Sequence, residues 1–221
     1  MKTPDTRPKA ILKSSGNIPK ILTQKRFVRA VRALADRDLD LARIVNRLGP
    51  PPLWEREEGF PTLLLIILEQ QVSLASARAA YNRLLAAASP LTPDKFLRLN
   101  DVELKAIGFS RQKTAYGRNL AQAVIEGRID IAGLRSLDDE SVKTQLMQIK
   151  GIGHWTADIY LLMVLRRPDS WPKGDLALAT AIREIKGLKQ TPTFEDLEQI
   201  GESWRPWRAV AARILWHYYL S

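Results

Sequence analysis

Apolar residues recur at helical spacing along most of this chain, and no stretch alternates apolar with polar for long enough to make a strand. Between residues 23 and 48 the positions Val28, Val31, Leu34, Leu39, Leu41, Ile44, Val45 and Leu48 fall at helical intervals, which predicts two amphipathic helices. Gly49 and the prolines at 50, 51 and 52 end them, because proline has no amide hydrogen and its ring blocks the preceding turn. The next segment, FPTLLLIILEQQ, is apolar nearly all round and so predicts a helix at the centre of an all-α domain. Ser73 can cap the helix after it. Thr92-Pro93-Asp94 and Asp101 open two short helices, and Gly108-Phe109-Ser110 turns the chain into RQKTAYGRNLAQAVIEG. Asp138, Asp139 and Glu140 then place acids at the positive end of another helix. A last helix begins near Arg205-Pro206-Trp207, and the fold class predicted throughout is all-α.

One stretch carries more than packing. Over residues 146–178, Leu146 and Ile149 close a helix, Gly151-Ile152-Gly153 makes a tight turn, and a second helix over residues 155–165 has Ala157 where the two come close. This is the form of a helix-hairpin-helix. Two glycines leave the turn's amides open to an incoming anion at the start of a helix, which suits a phosphate oxygen. A dinucleotide-binding glycine loop would need a strand before it and a third glycine at position 156, where this chain has Thr156. After the second helix comes a lone acid behind a glycine, Pro172-Lys173-Gly174-Asp175.

Composition narrows the partner. A length of 221 residues allows one large or two small domains, and a net charge of +10 calls for a polyanion. The longest apolar run, residues 63–68, falls far short of the ~20 residues that span a bilayer, so nucleic acid is preferred to membrane. The chain has no cysteine and two histidines, which excludes disulfides, thiolate metal sites and a cysteine-held iron-sulfur cluster. Residues 1–22 form a basic arm, read either as a DNA contact or as a solubilising tail, without an apolar signal core; an intracellular protein is expected.

With Asp175 behind the hairpin, the chain resembles the helix-hairpin-helix DNA glycosylase superfamily, and the wording GIGHWTAD resembles its alkylbase branch, the 3-methyladenine DNA glycosylases. The similarity runs from about Phe60 to the C-terminus and includes LEQQVSLASA, GFSRQKTAYGRNLA and SWRPWRAVAARILWHYY. The resemblance implies two helical subdomains with a cleft between them: residues 60–140, the hairpin and catalytic loop at 141–178, and 179–221 packing with 23–59. It implies a monomer acting without a cofactor on double-stranded DNA that contains damaged bases, excising alkylated purines by base flipping. Asp175 would be the catalytic carboxylate, and Trp155 and Trp216 would line the base pocket. Lys150, Gly151, Gly153 and His154 would hold the DNA backbone. The wedge that fills the duplex gap would be Gln71, where some relatives carry Leu, or else Leu74. A cation on the carbonyls of Met147, Ile149 and Ile152 is implied in the same way, with no side-chain metal ligand. Glycosylases that also cut the backbone carry lysine at position 155; here Trp155 implies hydrolysis alone. Deaminated or oxidised bases are the alternative substrates, and a non-catalytic DNA-binding protein is the alternative class.

Overall fold

The computed structural model describes residues 21–221; nearly all of the basic arm expected at 1–22 lies outside the described residues. Among these the secondary structure is entirely helical. The first pair, α1 (Gln24–Arg37) and α2 (Leu39–Leu48), turns on one residue, Asp38, whose carboxylate caps α2 by accepting the amides of Asp40 and Leu41 at 2.9 and 3.0 Å. Its other oxygen accepts the indole N–H of Trp204 at 2.8 Å, tying this corner to the far end of the chain.

The apolar segment forms α3 (Phe60–Glu69), and its residues from Leu63 to Glu69 are all buried, as its lack of a polar face requires. It packs on α4 (Leu74–Ala87), α7 (Arg111–Ile125) and α9 (His154–Ile159), while α5 (Pro93–Arg98) and α6 (Asp101–Ile107) complete that side by packing on α7. On the other side α12 (Arg208–Tyr219) lies against α10 (Leu176–Ile185), α2 and α1. Between them stands the hairpin made by α8 (Asp139–Met147) and α9, and α11 (Phe194–Glu202) follows α10. One continuous apolar core runs through both groups. No helix among the described residues is long and apolar enough to cross a membrane.

The second hairpin helix departs from the expectation of a regular α-helix over 155–165. After Ile159 the backbone widens into a π-helical stretch, Tyr160–Val164, in which the Leu165 amide reaches back five residues to the Tyr160 carbonyl at 3.1 Å. Within it the Leu162 carbonyl accepts Nη2 of Arg213 at 2.7 Å. Arg213 is fully buried, and its guanidinium also donates to the carbonyls of Leu53 and Ala209 while lying over the Phe27 ring. Burial pushes it down to about 9, still above neutral, so the guanidinium enters the core charged and is met by carbonyl dipoles.

This one side chain holds together α12, the hairpin helix, and the loop after α2. Replacing it by an apolar residue of similar length leaves buried carbonyls without their donors, at about 1–3 kcal/mol each. Arg213→Met is therefore expected to lower the unfolding free energy by roughly 3 kcal/mol, read from the denaturant midpoint at constant slope.

Candidate active site

The hairpin turn has the geometry its glycines suggested, for two separate reasons at Gly151. Its φ of +108° lies where side chains are disfavoured, and a Cβ there would sit 2.3 Å from Cγ of Tyr116 on α7. Gly153 is different: its backbone is extended, and a Cβ would meet nothing within 4 Å. It stands in open space on the exposed side of the turn, beside the exposed Lys150 and His154. Ile149 and Ile152 are buried beneath, and the Ile152 amide donates to the Ile149 carbonyl at 3.0 Å. Among the described residues no cluster of three or more His, Asp or Glu could hold a metal, so the cation that the resemblance implies on the carbonyls of Met147, Ile149 and Ile152 would rest on backbone oxygens alone, and the Ile149 carbonyl already accepts the Ile152 amide.

The loop after the hairpin is a tight turn. The Asp175 amide donates to the Pro172 carbonyl at 3.2 Å, and Gly174 supplies the φ of +79° that the third position of such a turn needs. The turn delivers Asp175 to the first position before α10, where it is 8% exposed. Three N–H groups converge on its carboxylate. Oδ1 accepts the Leu178 amide at 2.9 Å and the Trp216 indole at 3.2 Å, and Oδ2 accepts the Trp155 indole at 2.8 Å. The helix cap is thus only one of its bonds; the other two come from α9 and α12. Trp216 is buried and Trp155 half-buried. Spacing along the sequence could not reveal this convergence, since the three residues lie on three helices.

Asp158 sits behind that loop. It is buried, accepts Nζ of Lys143 at 3.0 Å and the Lys173 amide at 3.3 Å, and its carbonyl accepts the Ser170 hydroxyl at 3.0 Å. Burial pushes its carboxyl above the ordinary value, against the pull of Lys143. The hairpin and the Asp175 loop are therefore pinned to each other through one acid. Beside them lies a cavity of about 540 Å³ lined by His154, Asp158, Trp171 and Lys173, among others.

The corner between α3 and α4 supplies the remaining pieces. Gln71 is exposed in a left-handed conformation, with φ of +56°, and Leu74 is 56% exposed at the start of α4, beside an exposed Val72. All three project from the corner. Gln70, the residue before, turns the other way: its Nε2 donates to the Gly151 carbonyl and to the Thr156 hydroxyl, both at 2.9 Å. Adjacent glutamines thus have opposite uses, and only the interior one is tied to the hairpin. Lys113 donates to the Leu68 carbonyl at 2.6 Å and closes the end of α3.

A model of the HhH-GPD superfamily base excision DNA repair proteins matches residues 64–206. The chain is 29% identical over 180 residues to DNA-3-methyladenine glycosylase 1 of Schizosaccharomyces pombe, covering 80% of this chain and 79% of that one. It is 26% identical over 197 residues to the alkylbase DNA glycosidase-like protein mag2 of the same organism, covering 86% and 92%. Among solved structures it is similar to the S. pombe 3-methyladenine DNA glycosylase in complex with abasic DNA, with a TM-score of 0.80 at 29% identity, over 85% of this chain and 95% of that one.

Removing the amide of Gln70 leaves a buried-side carbonyl and hydroxyl without their shared donor. Gln70→Leu is expected to cost about 1–2 kcal/mol in urea unfolding and to speed hydrogen exchange in the hairpin amides ahead of those in α12.

Proposed function

Because the chain belongs to the HhH-GPD superfamily of base excision DNA repair proteins, in its 3-methyladenine glycosylase branch, we propose that it excises alkylated purines from double-stranded DNA with Asp175 as its catalytic carboxylate. The observation that carries the assignment is the triple donation to Asp175. An acid needed only to cap α10 would be satisfied by the Leu178 amide, whereas here two indoles from other helices also aim at it.

Hydrolysis of the glycosidic bond develops positive charge on the deoxyribose as the base leaves with the bonding electrons. A carboxylate beneath the sugar stabilises that charge and can take a proton from the water that attacks C1′. Trp155 and Trp216 fix both oxygens in direction, so little reorganisation is required as the charge appears. N-alkylated purines are cationic and already have a weakened bond to the sugar, so flat electron-rich walls serve them better than base-specific hydrogen bonds. Trp155 and Trp216, with their indole edges turned to Asp175, can offer ring faces to the base. Lys150, Gly151, Gly153 and His154 would hold phosphates next to the extruded nucleotide, and the corner at Gln71 and Leu74 would fill the space it leaves. An indole at position 155 provides no amine for a Schiff base, so water is the nucleophile and an abasic site the product. A protein that merely binds DNA through the hairpin would need neither the buried acid nor its two indole donors.

Asparagine keeps the cap on α10 but removes the negative charge and sets an amide against the Trp155 N–H. Asp175→Asn is expected to remain folded by circular dichroism and to lose at least about 100-fold in single-turnover excision of 7-methylguanine from a defined duplex. With borohydride present, the wild-type protein is expected to form no trapped covalent adduct with the same duplex; an adduct would overturn the water mechanism.

A further inference from the structure

Resting on that reading, we propose that Tyr116 on α7 is a further DNA contact, its hydroxyl donating to the phosphodiester of the damaged strand that lies between the extruded nucleotide and the hairpin. Three polar side chains, Gln112, Tyr116 and Asn119, follow one another at i, i+4 and i+7 and so share one face of α7. That face meets the hairpin. The Asn119 side-chain amide donates to the Lys150 carbonyl at 3.2 Å, and the Tyr116 ring comes so close to Gly151 that any Cβ there would collide with it.

About one turn nearer the start of α7, Lys113 donates to the Leu68 carbonyl, and two residues after Leu68 the Gln70 side chain reaches the Gly151 carbonyl. The first turn of α7 therefore lies against the end of α3, where the exposed corner of Gln71, Val72 and Leu74 begins. Tyr116 spans these two places. Its half-buried ring starts behind Gly151, and its hydroxyl ends at the exposed Gln112, whose Nε2 donates to it at 2.6 Å. The hydroxyl thus stands at the surface between the turn that would hold the strand and the corner that would fill the gap in it.

A residue needed only to fill the space beside Gly151 would be served by a bare ring. The hydroxyl adds direction: it accepts from Gln112, and among the described residues nothing accepts its own proton. A phenolic oxygen that already accepts one bond keeps its hydrogen for an acceptor, and an ionised phosphate oxygen is a strong one. Charge nearby selects an anion. Residues 111–119 carry Arg111, Lys113 and Arg118 and no acid, although Arg118 is paired with Asp101 from α6. Being neutral itself, the hydroxyl would fix the height and register of the strand rather than add to the attraction.

Equilibrium binding to a duplex with a tetrahydrofuran abasic analogue measures this contact apart from base release. Tyr116→Phe keeps the ring against Gly151, so it is expected to melt with the wild-type protein and to bind that duplex about 10-fold more weakly, the loss of one hydrogen bond to a charged group. The loss is expected to be equal at low and high salt, since a hydroxyl displaces no counterion, whereas Lys150→Met is expected to reduce the salt slope by about one. Neutral methylphosphonates placed singly at the phosphates around the abasic site locate the acceptor: at one position the difference between wild type and Tyr116→Phe is expected to fall below about 2-fold, and elsewhere to persist. If Tyr116→Phe melts below the assay temperature, Gln112→Leu, on the exposed surface, carries the test, with binding about 3-fold weaker and the loss cancelled by the same methylphosphonate. Wild-type affinity, a loss that high salt abolishes, or a loss that persists at every methylphosphonate would each overturn the contact. A wild-type protein that neither prefers the abasic duplex to an undamaged one nor excises 7-methylguanine would instead remove the glycosylase reading beneath it.

Discussion

Three N–H groups on one buried carboxylate set the terms for everything near the centre of this molecule. Asp175 cannot be held by its own helix alone in the observed orientation, because the Trp155 and Trp216 indoles arrive from α9 and α12. A carboxylate accepts hydrogen bonds in the plane of its oxygens, so donors from three directions fix both its position and its tilt. Each helix must then be fixed relative to the others, and the remaining polar interactions do that.

Two further buried polar groups carry this positional requirement. Asp158 joins α8, α9 and the Asp175 loop through Lys143, the Lys173 amide and Ser170, and Arg213 joins α12 to the hairpin helix and to the Leu53 carbonyl. A well-packed apolar side chain could match such groups in stability, but it would not specify direction; hydrogen bonds do, because they weaken steeply as they bend. The π-helical stretch falls in the same region and offers one of its carbonyls to Arg213.

The hairpin itself is less autonomous than a motif suggests. Gly151 admits the ring of Tyr116 from α7, its carbonyl is held by Gln70 from the end of α3, and the Lys150 carbonyl accepts the Asn119 amide at 3.2 Å. The surface that would meet a phosphate is thus braced from behind by two helices of the other group. The exposed corner of Gln71, Val72 and Leu74 begins one residue after Gln70, so the part that would enter the duplex and the part that would hold its backbone share one support.

The helical class, the buried α3, most helix starts and the hairpin were legible in the sequence, because each depends on residues within a turn or two of one another: apolar spacing, a Ser or Asp cap, a glycine with positive φ. Asp175 was singled out differently, through the resemblance to a family that carries an acid one helix beyond such a turn. What the sequence could not decide was direction and company. Two adjacent glutamines look alike on paper, yet Gln70 faces the hairpin and Gln71 faces solvent; the loop after the triple proline looks like a plain connection until Arg213, from the far end of the chain, takes the Leu53 carbonyl. Those assignments rest on contacts between residues scores of positions apart, and only the packing of helices into one core brings such groups within hydrogen-bonding distance.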